Sequence, residues 1–215
     1  MINVRQLTSE RDYNAWVTPR LARLPLRHQT AYAADSAERQ LGTYSFLARR
    51  DRRLRPDTLR EITNTVWGYV AGEKVPEAKL ANSQERIEAL IPDLDDSHAP
   101  ENASLILSAA GAVAYAVRSC ISETTTNARA AGTCAIEAVH EWVGNLLHPG
   151  LSVLKPAEIT AWQRSIDQHP LMIRELDHVQ TVMQFLSETA ELDHHSCRAL
   201  RGLWPLRNKS NIDLE

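Results

Sequence analysis

The tetrapeptide Glu-Leu-Asp-His occurs twice, at residues 175–178 and 191–194, and each copy sets a Glu three residues ahead of a His. A third Glu-x-x-His pair joins Glu137 to His140. On a helix this spacing brings a carboxylate and an imidazole to one face, the arrangement by which helical bundles hold pairs of metal ions. The chemistry at stake would be metal-dependent oxidation or hydrolysis. If one helix carries both copies, the sixteen residues between them rotate the second about 160° from the first, and no common site forms. Measured from the apolar stripe of that segment, Glu175 and His194 lie about 50° off and His178 and Glu191 about 110° off, toward water. Glu137, His140 and Glu141 fall on the wet face opposite Val139 and Trp142. Solvated side chains are therefore the expectation, with no metal and no other cofactor.

Two charged clusters remain. Asp93, Asp95, Asp96 and Glu101 lie in the segment PDLDDSHAPE, and Glu85 and Glu88 precede them on a helix. This patch is expected to dock a basic partner, since complementary charge speeds encounter and selects the partner. Arg49, Arg50, Arg52, Arg53 and Arg55 surround Asp51. Such a run attracts phosphate, but no interleaved aromatics accompany it, so an inter-helix loop pairing with nearby acids is the expectation, and a nucleic-acid partner is not. No Gly-rich phosphate loop, nucleophile elbow or Cys or Ser with an evident base is present, so no catalytic residue is assigned and a non-enzymatic role is expected.

The elements that must carry these residues are helical throughout. Ser9 and Asp12 form a capping box ahead of Tyr13, Trp16, Val17 and Leu21. Further helices are expected over Pro25–Ala48 and Pro56–Ala71, then a short one opened by Asn82 and Glu85 and closed by Pro92. Segment 102–121 is apolar on nearly every face and rich in small residues, and a partner helix runs to Leu147 with Val139, Trp142 and Leu146 inward. Pro156–Asp167 buries Ile159, Trp162 and Ile166, and Pro170 opens one long helix reaching Trp204. The fold expected is all-α: a single domain over 1–215, with about seven or eight helices around a central Ala-rich pair. Residues 1–8 and 207–215 are expected to be loose ends.

Charge is unevenly spread over the 215 residues, because the net of −3 divides into +6 over 1–60, −7 over 61–145 and −2 over the remainder. Separated regions of opposite sign bear on partners and encounter rates. Three Cys without ligand spacing read as small buried hydrophobes in a reducing compartment. No run of about 18 apolar residues occurs and the first residues lack a signal-peptide core, so a cytoplasmic location is expected.

The segments LARLPLRHQTAYAADSAERQLGTYSFLAR from Leu21 to Arg49, LREITNTVWGYVAGE, RIEALIPDLDD and RALRGLWPLRNKSNI carry a resemblance. Through Ala37, Glu38, Arg39, Leu41, Tyr44, Trp67 and the acidic turn, the chain resembles the YjaG-like family of small bacterial helical proteins of unknown function. AERQLGTY and the Ala-rich central pair are also similar to helical immunity families encoded beside bacterial polymorphic toxins. The resemblance implies an all-helical cytoplasmic protein whose partner is a cognate toxin, and brings no catalytic residues. The Arg-rich loop and the Glu-x-x-His pairs depart from the YjaG-like pattern.

Overall fold

Nine helices and no strand are formed by the residues that the computed structural model describes, namely 7–51, 53–91, 102–122, 125–148, 155–204 and 209–213. In chain order they are α1 Glu10–Leu21, α2 Leu26–Ala48, α3 Pro56–Val70, α4 Glu77–Glu88, α5 Ala103–Ser122, α6 Thr125–Leu147, α7 Pro156–Asp167, α8 Pro170–Glu188 and α9 His194–Gly202. Together they make the single all-α domain expected.

The centre is a triad rather than a pair. Helices α5 and α6 pack closely through small residues such as Ala109, Ala112, Ala116, Ala131, Ala135 and Ala138, all fully buried. Helix α2 joins them with Ala31, Ala34 and Ala37, and 17 of its 23 residues are buried. Small side chains let helix axes approach closely on several sides at once, and dispersion over the shared surface then accumulates. Gly132 of α6 shows how close. A Cβ there would lie 1.9 Å from the Tyr13 hydroxyl, so only Gly admits the Tyr13–Tyr32 hydroxyl pair, 2.7 Å apart, against α6. By length and a mean hydropathy of 1.5, α5 is apolar enough to cross a membrane, yet α2, α3, α4 and α6 all pack against it.

Local signals place most boundaries. The Ser9 hydroxyl accepts from the Asp12 N–H at 3.3 Å and starts α1. Pro at the first helical position opens α3, α7 and α8. Helix α4 starts at Glu77, before the expected Asn82, because Leu80, Ser83 and Ile87 form a buried stripe that recruits the preceding turn. At the ends of α6 and α7, Leu146 and Ile159 are exposed rather than inward. Trp162 does pack inward, against Gly144, where an added Cβ would come within 2.9 Å of its ring.

The long C-terminal helix is broken. Thr189 leaves α8 with extended ψ of 118°, Leu192 is buried in the link, and Asp193 starts α9. Asp193 accepts from the Ser196 N–H at 2.7 Å, and the Ser196 hydroxyl accepts from the Asp193 N–H at 2.8 Å. This reciprocal cap outweighs the apolar periodicity that runs through it. At the chain ends, Leu7 and residues Ser210, Asn211 and Ile212 are buried, although they fall in stretches expected to be loose.

Candidate functional site

The break in the C-terminal helix changes where the first Glu-Leu-Asp-His copy points. On an unbroken rod, Trp204 would lie about 39 Å from His178. Instead α9 folds back and the two rings meet edge to face with centroids 4.7 Å apart. Glu175 and His178 are consequently buried, at 1% and 6% exposure, not at the boundary and in water as the helix angles implied. Helix α2 covers them from the other side.

What these two residues hold is a guanidinium. Arg39 Nε donates to Glu175 Oε1 at 2.9 Å, with Nη2 2.8 Å from the same oxygen, and Nη1 donates to Asp35 Oδ2. His178 Nε2 lies 3.1 Å from both Asp35 oxygens and so donates to that carboxylate. Burial pushes the Asp35 carboxyl up, but His178 and then Arg39 outweigh it and hold the group below its ordinary value. Burial likewise disfavours the Arg39 charge, and Glu175 and Asp35 more than restore it. Tyr13 and Tyr32, also close to Arg39, are raised chiefly by burial, and both stay protonated. A permanently charged guanidinium thus occupies the place a metal cation would need, and the surrounding acids are spent neutralising it.

The quartet is the middle of a longer polar seam. Between Asp35 and Arg39 on α2, Glu38 accepts from Trp67 Nε1 at 3.1 Å and from Arg201 Nη2 of α9 at 2.9 Å. One turn later, Thr43 donates to Asn211 Oδ1 at 2.7 Å and shares a hydrogen bond of 2.8 Å with the Ser210 hydroxyl. Arg174 of α8 donates to the Asn211 carbonyl at 2.7 Å and to Asp213 at 2.9 Å. Gly42 makes this possible, since any Cβ there would sit 1.9 Å from the Lys209 carbonyl oxygen. Outside the seam, a shallow groove of about 500 Å³ is lined by Ile173, Arg174, Asp177, Leu203, His178 and Trp204 among others.

The remaining candidates separate. Glu191 and His194 flank the helix break and are exposed, with His194 3.7 Å from Glu73. Glu137 is exposed, while His140 is half-buried, 3.7 Å from Glu10 and edge-on to Trp162. Glu141 accepts from the Ser104 hydroxyl. The three Glu-x-x-His pairs therefore do not converge. Of the acidic patch, Glu85 and Glu88 are exposed on the outer face of α4, with Glu88 3.9 Å from Arg118, while Asp93, Asp95, Asp96 and Glu101 lie outside the described residues. In the Arg-rich segment, Arg53 holds Asp51 through bonds of 2.8–3.1 Å, and Arg49 and Arg50 lie over the Phe46 ring. Arg52 is outside the described residues. Burial pushes the Cys134 thiol up to about 12 and Cys197 up to about 11, which suits inert core thiols.

Sequence reasoning missed Asp35, Arg39, Thr43, Trp204 and Asn211. The available signal was the segment TAYAADSAERQLGTY, whose small residues occur on every face of α2 and leave no wet side for Asp35 and Arg39.

Comparison with known proteins adds the fold and the family. The family described as "Protein of unknown function (DUF416)" matches residues 17–215. The crystal structure of a DUF416 family protein from Shewanella baltica OS155 superposes with a TM-score of 0.73 at 15% identity, covering 91% of this chain and 96% of that one. No curated protein matches the chain.

Proposed function

We propose, for a chain that belongs to the DUF416 family of proteins of unknown function, a non-enzymatic role as a protein-binding module. In its specific form the module is a bacterial immunity protein that neutralises a cognate toxin in the cytoplasm by direct binding. The likeness to the YjaG-like and helical immunity families read from AERQLGTY supports this form. The observation that carries the reading is how the charges are used. Inside the fold, Asp35, Arg39, Glu175 and His178 pair with one another, whereas Glu85 and Glu88 face solvent on α4 and lead directly into the sequence of Asp93, Asp95, Asp96 and Glu101. Glu85 and Glu88 thus offer exposed carboxylates on α4 that suit a basic partner.

The test uses the protein encoded beside this chain as the partner. Replacing Asp93, Asp95 and Asp96 together by Asn should slow association about tenfold at low salt and flatten its dependence on ionic strength. Wild-type binding and protection by the triple variant would remove this surface from the reading. An adjacent reading frame that encodes no toxin would remove the immunity role.

A further inference from the structure

A second region, independent of the acidic face, has the properties of a small-molecule site. The carboxyl-terminal turns of α1 and α8 enclose a cleft of about 850 Å³, within the range of pockets that take drug-sized ligands. Trp16, Leu24, Met183 and Leu186 give it an apolar wall, and Arg20 and Arg23 stand at one side. The Arg20 guanidinium carbon lies over the Trp16 ring, 3.9 Å from its centroid, and Arg20 donates one N–H to the Trp16 carbonyl at 2.7 Å. Among the described residues neither arginine has a carboxylate partner. The Arg20 guanidinium is held below its ordinary value by burial and then by the neighbouring Arg23 charge.

The charge balance sets the class of ligand. Glu188 also lines the cleft, and Gln184 donates to it at 2.9 Å on the α8 side. The carboxyl ends of α1 and α8 bring about half a negative charge each, and the amino end of α2 at Pro25 returns about half a positive one. Part of the negative end is already answered by Arg20 on the Trp16 carbonyl and by the Thr189 hydroxyl, which donates to the Phe185 carbonyl at 2.8 Å. Two full guanidinium charges against one carboxylate therefore leave the cleft positive. The planar guanidinium forks match a carboxylate in two-point geometry, while Trp16, Leu24, Met183 and Leu186 offer apolar surface to the rest of a ligand.

We infer that this cleft binds a small organic anion in which one carboxylate is joined to an aryl or medium alkyl body, the carboxylate on Arg20 and Arg23 and the body against Trp16, Met183 and Leu186. 1-Naphthoate and its neutral counterpart 1-naphthamide test this by titration calorimetry on the full chain at low salt. Naphthoate should bind saturably, one per chain, and about tenfold more tightly than the amide. Arg23→Gln, at an exposed position, should weaken naphthoate about tenfold with an unchanged unfolding midpoint, and Arg20→Gln should weaken it further. No saturation up to millimolar naphthoate, equal affinity for the amide, or wild-type affinity in the Arg23→Gln protein would each overturn the assignment.

Discussion

Helix α2 belongs to two regions built on opposite principles. Toward α5 and α6 it presents small residues such as Ala34 and Ala37, which need no partners beyond close packing, beside Thr30 and Gln40, which donate to the Ser119 and Ala135 carbonyls. Toward the C-terminal part of the chain it presents Asp35, Glu38, Arg39 and Thr43, each of which needs a named atom on α8, α9 or residues 210–211. The apolar side tolerates small shifts, because dispersion falls gradually as neighbours move apart. The polar side tolerates few, because a buried charge that loses its partner retains its desolvation cost. Packing thus supplies cohesion to the triad, and the seam supplies registry to the C-terminal third.

The sharpest way to break this contrast is Arg39→Met. It roughly preserves volume but leaves buried Glu175 without a cation and Asp35 with His178 alone, and unfolding free energy from urea titration should fall by about 3–5 kcal/mol. A loss no larger than that of a conservative change in the triad, such as Ile136→Val at about 1 kcal/mol, would make the two regions equivalent. Gly42→Ala comes next. Its Cβ must displace the Lys209 carbonyl, so a loss of about 1–3 kcal/mol is expected, with amide exchange quickening at Ser210–Ile212 while α5 stays protected.

The smallest effect is the dependence on pH. Asp35 has a folded-state value below its unfolded one, so its contribution is fully present above the ordinary carboxylate range and is lost as pH falls through the lower folded value. Wild-type stability should therefore decline on acidification more steeply than that of Asp35→Asn. An Ile136→Val protein should keep the wild-type slope. Equal slopes in all three would place the acid-sensitive groups elsewhere.

The helical class, the apolar α5 and the starts of α1, α3, α7 and α8 were legible because capping residues and prolines act locally. The family resemblance pointed to Ala37–Tyr44, the segment that carries the seam, without revealing what it does. Asp193 and Ser196 also form a local cap, but an apolar stripe continuing past them concealed the break. The quartet was harder to see. Asp35 and Arg39, four apart, read like any surface ion pair on a helix, and only the return of Trp204 onto His178 removes the water that reading assumes. That return depends on tertiary packing, for which the sequence around residue 178 holds no signal.

The seam also has an order of appearance during synthesis. Helices α2, α5 and α6 are complete once residue 147 has left the ribosome, whereas Arg39 waits 136 positions for Glu175 and Thr43 waits 167 for Ser210. At about 5–20 residues per second, Arg39 of the nascent chain has Asp35 alone as its carboxylate for about 1–6 seconds after its triad can assemble. Translation of α8 supplies its second carboxylate, and the final segment then closes the seam on Thr43.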